Sequence, residues 1–459
     1  MIVGGSVRFQ AAGRALRHRN FRFFFFGQLV SVTGTWMQSL ALGWLMGTLV
    51  GWDQAVVYIG LLGVVQFLPV MILGLFGGII ADIWPKRRTV IATQTAAGIL
   101  ALTLGGLDYF HVVQIWEIFV LALLLGLVNA VDMPSRQSFV VEMVGHEDVA
   151  NAVALNSAVF NGARIVGPAV AGVLITLVGT AVCFTLNGLS YGAVVVGLLA
   201  MRDSELRPAD RLAMPRSLGA VRDNLAEGLR YVWQTPVVLL AITVIGLVST
   251  FGMNFNVVLP VMAAQTLDVG SGGYGILYAA MGAGALTAAL VVATLTRPRI
   301  RVLVVGGIVL GIAELVLAAT HSFPIALAAV FFSGVGAIAC SASANSLVQI
   351  TVPGPLRGRV MSVYTTVFAG STPIGNGLTG GFGGLWGTPV ALVMNGGVVL
   401  VSELAAAVAV LRGGIKVGSG GSAGSASSGA PGSSGSRTPR PVAGVVPPAP
   451  IGTTAPTPD

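Results

Sequence analysis

The sequence predicts an all-α polytopic membrane protein: twelve transmembrane helices in two six-helix halves, with both termini cytoplasmic. Three observations carry that expectation. Charged side chains make up only 9% of 459 residues while apolar ones reach 54%, where a soluble domain carries about a quarter charged. Apolar stretches near the ~20 residues needed to cross a bilayer recur along almost the whole chain. The basic residues also fall in a strict alternation between those stretches.

The expected spans are 23–49, 55–81, 89–108, 112–131, 151–178, 180–200, 236–262, 274–296, 302–320, 325–347, 360–386 and 388–410. Before the first lie Arg8, Arg14, Arg17, Arg19 and Arg22. Lys86, Arg87 and Arg88 separate spans two and three, and Arg136 separates four and five. Arg202 to Arg230 follow span six, Arg297 to Arg301 follow span eight, and Arg357 and Arg359 follow span ten. Arg412, Lys416, Arg437 and Arg440 close the chain. Apart from Arg164, every one of the 25 basic residues falls on one side, which the positive-inside rule assigns to the cytoplasm. An error of one span would scatter them over both faces.

The organisation follows. Residues 1–22 form a basic cytoplasmic leader, 23–200 an N-terminal six-helix bundle and 201–235 a cytoplasmic linker. Residues 236–411 form a C-terminal six-helix bundle, and 412–459 a Gly/Ser/Pro-rich tail with no apolar period, expected to be disordered. In the linker Leu218, Val221, Leu225, Leu229 and Val232 recur at helical steps, the pattern of an amphipathic helix on the membrane surface. Short basic turns at matched positions of each half suggest a duplicated unit, as in many secondary transporters.

Polar residues within the spans mark the candidate site. Gln28, Ser31, Thr35 and Gln38 share one stripe of span one, which should face the bundle interior or a wet cavity rather than lipid. Span five carries Asn161 and Arg164, span seven Asn254 and span eleven Asn376. Arg164 is the sharpest feature, since leaving it against lipid costs at least ~2.5 kcal/mol. Glu117, Glu314 and Glu403 are the acids that could pair with it or carry protons. Pro69, Pro168, Pro260 and Pro373 lie within spans, as suits helices that bend.

Other chemistries are excluded. Cys183 and Cys340 lie in apolar stretches and the four histidines are scattered, so no metal site is expected. No nucleotide-binding Gly-rich loop occurs, and no nucleophile, base and acid cluster at one depth. The chain should use no ATP, bind no nucleic acid, need no cofactor and not be an enzyme.

Five stretches carry a family resemblance. Gly78-Ile-Ile-Ala-Asp82-Ile-Trp-Pro85-Lys86-Arg87-Arg88 stands between spans two and three. It resembles the major facilitator signature Gly-x-x-x-Asp-x-x-Gly-Arg-[Lys/Arg], with Pro85 and Lys86 as departures. Ala163-Arg164-Ile-Val-Gly167-Pro168-Ala-Val-Ala171-Gly172 resembles the antiporter pattern Gly-x-x-x-Gly-Pro-x-x-Gly-Gly. Asp132-Met-Pro-Ser-Arg136-Gln, Glu227-Gly-Leu-Arg230 and Arg357-Gly-Arg359 resemble its bacterial exporter branch, which includes enterobactin exporters and macrolide-type drug pumps. The resemblance covers roughly 15 to 411. It implies the major facilitator fold, a gating network at Gly78, Asp82, Lys86, Arg87 and Arg88, and a helix bend at Gly167, Pro168 and Gly172.

The expected function is a secondary active transporter, a proton-coupled exporter of a small amphipathic drug or siderophore-like metabolite by alternating access. The alternatives are metabolite uptake and a non-transporting membrane sensor. Its partners would be the small-molecule substrate, protons and the lipid bilayer. It would work as a monomer in the cytoplasmic (inner) membrane of a bacterium.

Overall fold

A computed structural model describes residues 13–207, 218–295 and 300–412, with side chains described for all of these except 74–83 and 218–225. The tail, most of the basic leader and the turn with Arg297 and Arg299 lie outside the described residues.

The described chain is helical throughout. α1 spans Arg19–Val50, α2 Trp52–Ile83, α3 Lys86–Tyr109, α4 Ile115–Val144, α5 Val149–Val178 and α6 Thr180–Leu199. α7, Leu218–Gln234, occupies the linker. α8 spans Pro236–Phe251, α9 Phe255–Val261, α10 Gly270–Ala293, α11 Ile300–Ala319, α12 Phe323–Thr351, α13 Gly354–Trp386 and α14 Thr388–Leu411. Ten stretches among the described residues are long and apolar enough to cross a membrane, α8 and α9 counting as parts of one. α1 and α13 are as long, at 32 and 33 residues, but their polar side chains and glycines dilute the apolar character.

Three elements depart from the expected spans, the eleventh by beginning at Gly354 rather than 360. The fourth runs from Ile115 to Val144 rather than ending near 131. Its last turns carry Asp132, Arg136 and Glu142, whose ion-pair partners lie on α4 itself and on α3. The seventh is interrupted. α8 stops at Gly252 and α9 restarts after Asn254, then passes into a π-turn over Met262–Thr266. The Leu267 amide there donates to the Met262 carbonyl at 2.9 Å, the wide turn that marks functional sites in many helices.

The turn between spans five and six is a single residue, Gly179, at φ +85°, and Gly387 repeats it between α13 and α14 at φ +87°. Both need the left-handed conformation that glycine adopts without steric cost.

Packing repeats along the chain. α1 packs on α5, α2 on α4, and α3 on α6; later, α8 packs on α13, α10 on α12, and α11 on α14. Across the chain, α2 packs on α13 and α5 on α10. α7 lies against α13 and α8; its Val232 is buried and its Glu227 pairs with Arg359.

Candidate functional site

The polar stripe of α1 faces other helices. Gln28 Oε1 accepts from Arg136 Nη1 at 2.8 Å. Arg136 Nε lies 2.9 Å from Asp132 Oδ2. Asp132, buried on α4, also accepts from Thr93 Oγ1 at 2.7 Å and Gln94 Nε2 at 3.0 Å on α3. Gln38 Oε1 accepts from Asn187 Nδ2 of α6 at 2.6 Å. Thr35 donates to the Ser31 carbonyl and lies 3.3 Å from the Tyr191 hydroxyl; Ser31 is itself buried. The stripe therefore ties α1 to α4 and α6 and pairs most of its polar groups, Gln28 Nε2 being buried without a partner among the described residues.

Arg164 sits where α5 meets both α1 and α10. Its guanidinium carbon lies 5.6 Å from the Trp36 ring centroid, a cation–π placement. Trp36 in turn meets Phe160 edge-on at 5.5 Å. Across the seam stand the buried rings of Tyr278 and Tyr274, 5.4 Å apart. Gly282 of α10 lets the backbones close: a Cβ there would lie 3.1 Å from the Arg164 carbonyl oxygen. Arg164 Nε is buried with no hydrogen-bond partner among the described residues. None of the ion pairs among the described residues includes Arg164.

The helices approach closely from Arg164 toward one end of the molecule. Thr176 Oγ1 and Ser271 Oγ meet at 2.9 Å between α5 and α10. Gln265 Nε2 donates to Asp53 Oδ1 at 2.8 Å. Trp44 stacks on Tyr274 at 6.0 Å and packs on Trp52 at 4.8 Å. Gly60 and Gly380 bring α2 and α13 into backbone contact there, as Gly172 and Gly275 do for α5 and α10.

The remaining candidates separate. Glu117 caps α4: its Oε2 accepts from the Gln114 amide at 2.8 Å in a capping box, which accounts for its carboxylate. Asn161 bonds within α5, donating to the Ser157 carbonyl at 2.8 Å. Asn254 stands at the N-terminal boundary of α9 without a side-chain cap bond, its amide donating instead to the Thr250 carbonyl at 2.6 Å. Asn376 lies buried in the α2–α13 seam against Gly63, with neither amide atom partnered. Glu314 and Glu403 are buried between α11 and α14, away from Arg164's neighbours.

Of the gating motif, the side chains of Gly78 and Asp82 lie outside the described residues. Lys86 Nζ pairs with Glu142 of α4 at 2.7 Å. Arg87 donates to the Leu198 and Leu199 carbonyls at 2.9 and 3.1 Å and pairs with Asp203, while Arg88 is exposed. In the bend motif, Gly167 packs against Thr33 and Trp36, Gly172 against Gly275, and Pro168 is buried.

Sequence reasoning gave no site role to three groups, although Asp132 and Arg136 stood in a resemblance stretch. Asp132 and Arg136 are four residues apart on one helix, a spacing that signals an ion pair. Tyr274 and Tyr278 share a face by the same spacing. Asp108, buried near the end of α3, accepts from Thr180 of α6.

The family description "transmembrane secretion effector" matches residues 11–419. The staphyloferrin A transporter of Staphylococcus aureus is 24% identical over 274 residues, 59% of this chain and 66%, just under two thirds, of its own length. The multidrug efflux pump Tap of Mycolicibacterium fortuitum is 27% identical over 325 residues, 68% of this chain and 77% of its own. A POT family transporter solved with a thioalcohol-conjugated peptide superposes with TM-score 0.68 at 13% identity, covering 86% of this chain and 96% of that one. A bacterial Spinster homologue, solved inward-facing and occupied, gives 0.67 at 12%, covering 85% and 96%. These two show a shared fold.

Proposed function

The chain belongs to the transmembrane secretion effector family of the major facilitator superfamily, and from that premise we propose that it is a proton-coupled exporter of a small amphipathic organic molecule bearing an acidic group. It is a membrane transporter rather than an enzyme. Arg164 carries the finer reading. A cation inside a spanning helix, with a buried Nε lacking a partner and aromatic rings on two sides, is provided for by an anion that comes and goes. Trp36, Phe160 and Tyr278 would take the apolar part of such a cargo. Relatives named for multidrug efflux and for staphyloferrin A support a small organic cargo.

The proposed topology has twelve spans in two six-helix bundles joined by α7. The recurrence of helix pairings in the second half supports it. α1 and α13 count as spans because neighbouring helices cover much of their polar residues. The basic ends then face the cytoplasm, with both termini, and the aromatic end at Trp44, Trp52 and Tyr274 faces outward. A closed outer end suits alternating access by a monomer in the bacterial cytoplasmic membrane.

The test is uptake into inside-out vesicles of 2,3-dihydroxybenzoate, an acidic catechol, and ethidium, a lipophilic cation, with and without a proton gradient. Catecholate accumulation that collapses with a protonophore is expected. Arg164→Ala should lower it about tenfold or more at unchanged protein level, for a lost charged hydrogen bond of ~1.5–3 kcal/mol. Undiminished catecholate accumulation by that variant would remove Arg164 from the mechanism. No gradient-dependent flux of either probe would favour uptake or a sensor.

A further inference from the structure

Two carboxyl groups are sealed between α11 and α14. Glu314 on α11 is 1% exposed and Glu403 on α14 is 0% exposed. The antiparallel helices fit through reciprocal notches. The Glu403 carboxyl lies over Gly307, where a Cβ would collide with it, and the Glu314 Cβ lies 2.9 Å from where a Cβ on Gly396 would stand. Between them Gly311 meets the Gly396 carbonyl and Leu400. Seven residues separate Gly307 from Glu314 and Gly396 from Glu403, so the two acids stand two turns, about 10 Å, apart along one seam.

Among the described residues neither acid has a cation beside it. The Oε2 atom of each is buried without a hydrogen-bond partner. The ionisable groups facing the seam are Cys340 of α12, whose Sγ lies 3.6 Å from Glu403 Oε1, and Tyr364 of α13, next to Cys340 and bonded to the Ser341 carbonyl. α8 and α9, which also pack on α14, carry no ionisable side chain. The basic residues of α11 to α14 and of the residue just past α14, Arg301, Arg357, Arg359 and Arg412, all sit at helix ends. A group shielded from solvent and offered no counter-charge fits only as the neutral acid.

We propose that Glu403 and Glu314 form a proton-carrying pair in the α11–α14 seam, so that protons and substrate use separate sites. This rests on the proton-coupled reading above. When the seam opens, each carboxylic acid gives its proton to water and becomes a carboxylate with a hydronium ion released; it regains a proton before the seam closes. Glu403 lies nearer the end marked by Arg301 and Arg412, so it exchanges with that side. Glycine at positions 307, 311 and 396 leaves no side chain to lock the helices together.

The test compares wild type with the Glu314→Gln/Glu403→Gln double variant, using 2,3-dihydroxybenzoate and ethidium in inside-out vesicles. Glutamine keeps the size and neutrality of the protonated acid but cannot release a proton. The double variant should keep gradient-free exchange of the probe at the wild-type rate and lose gradient-driven accumulation about tenfold or more. Full driven accumulation by the variant would overturn the proposal and leave the pair as structural hydrogen-bonding groups. Loss of exchange together with accumulation would also overturn it, placing the acids in the fold or the substrate step. If the wild-type protein itself showed exchange but no gradient-driven accumulation, proton coupling would fail, an outcome distinct from both.

Discussion

Alanine at Gly275 should force open the end of the molecule where α5 and α10 meet. A Cβ on Gly275 would stand 2.7 Å from the Pro168 carbonyl oxygen and 2.8 Å from the Gly172 Cα. A Cβ on Gly172 would stand 2.9 Å from the Gly275 Cα and the Ser271 carbonyl oxygen. These obstacles are backbone atoms, which cannot rotate away as a side chain could. Overpacking of this kind costs ~1–3 kcal/mol. The clash exists only while the seam is closed, so the cost falls on that state alone and shifts the population toward an open one by roughly 5- to 150-fold. Ser271 is buried and bonded to Thr176 across the same seam, and so reports opening. In a background with Cys183 and Cys340 replaced by alanine, Ser271→Cys should react with a membrane-impermeant maleimide faster by that factor when Gly275→Ala is added. Gly162→Ala is the control, because a Cβ there meets nothing within 4 Å. Equal labelling rates for Gly275→Ala and the control, in protein of wild-type yield, would refute the reasoning.

Two further outcomes are expected. Asp132→Ala removes the acceptor shared by Thr93, Gln94 and Arg136 and should cost about 3 kcal/mol, read as a lowered Tm in detergent; Asp132→Asn, which keeps an acceptor oxygen, should lose less. Asp148, in the turn before α5, accepts from His18 at 2.8 Å and pairs with Arg14; the His18 hydrogen bond and then Arg14 hold its carboxyl below the ordinary range. A depressed folded value stabilises above the unfolded carboxylate pKa and is lost as pH falls through the folded one. The Tm difference between wild type and Asp148→Asn should therefore be greatest near neutrality and vanish in acid, and a difference independent of pH would contradict it.

Helix placement was legible because apolar length and basic turns are properties of chain segments read one at a time. The turn between spans five and six was marked only by Gly179 and Thr180, and the positive φ of Gly179 explains why one residue suffices. The break at Gly252–Asn254 was hidden, since Gly, Met and Asn inside an apolar run read equally as a continuous span. α4 outran its expected end because Asp132 and Arg136 satisfy each other, so a polar helical stretch persists where apolar content falls. The α1 stripe showed that Gln28 and Gln38 avoid lipid, but not that Arg136 and Asn187 await them. That information lies in helices more than 100 residues away in sequence. Glu117 was read as a coupling candidate, and the missed signal was Gln114 three residues before it, the spacing of a capping box.

The sharpest question left by the sequence was whether Arg164 pairs with Glu314 or Glu403, and the packing separates them. Arg164 lies among α1, α5 and α10, whereas both acids lie between α11 and α14. A design serving stability alone would bring a buried cation and buried acids together, because a lone buried charge costs several kcal/mol. Keeping them apart leaves each group incomplete in this conformation, in chemically opposite ways. The cation lacks an anion, which a cargo can supply; the acids lack a cation, which a proton replaces. If the two deficits are met by different ligands, Arg164→Ala should cost acidic-cargo transport without touching proton-driven ethidium transport, while the double glutamine variant should cost both driven fluxes. Were Arg164→Ala instead to abolish driven transport of ethidium as well, the guanidinium would belong to the coupling step, and the separation of sites would fail as a functional principle even though it stands as geometry.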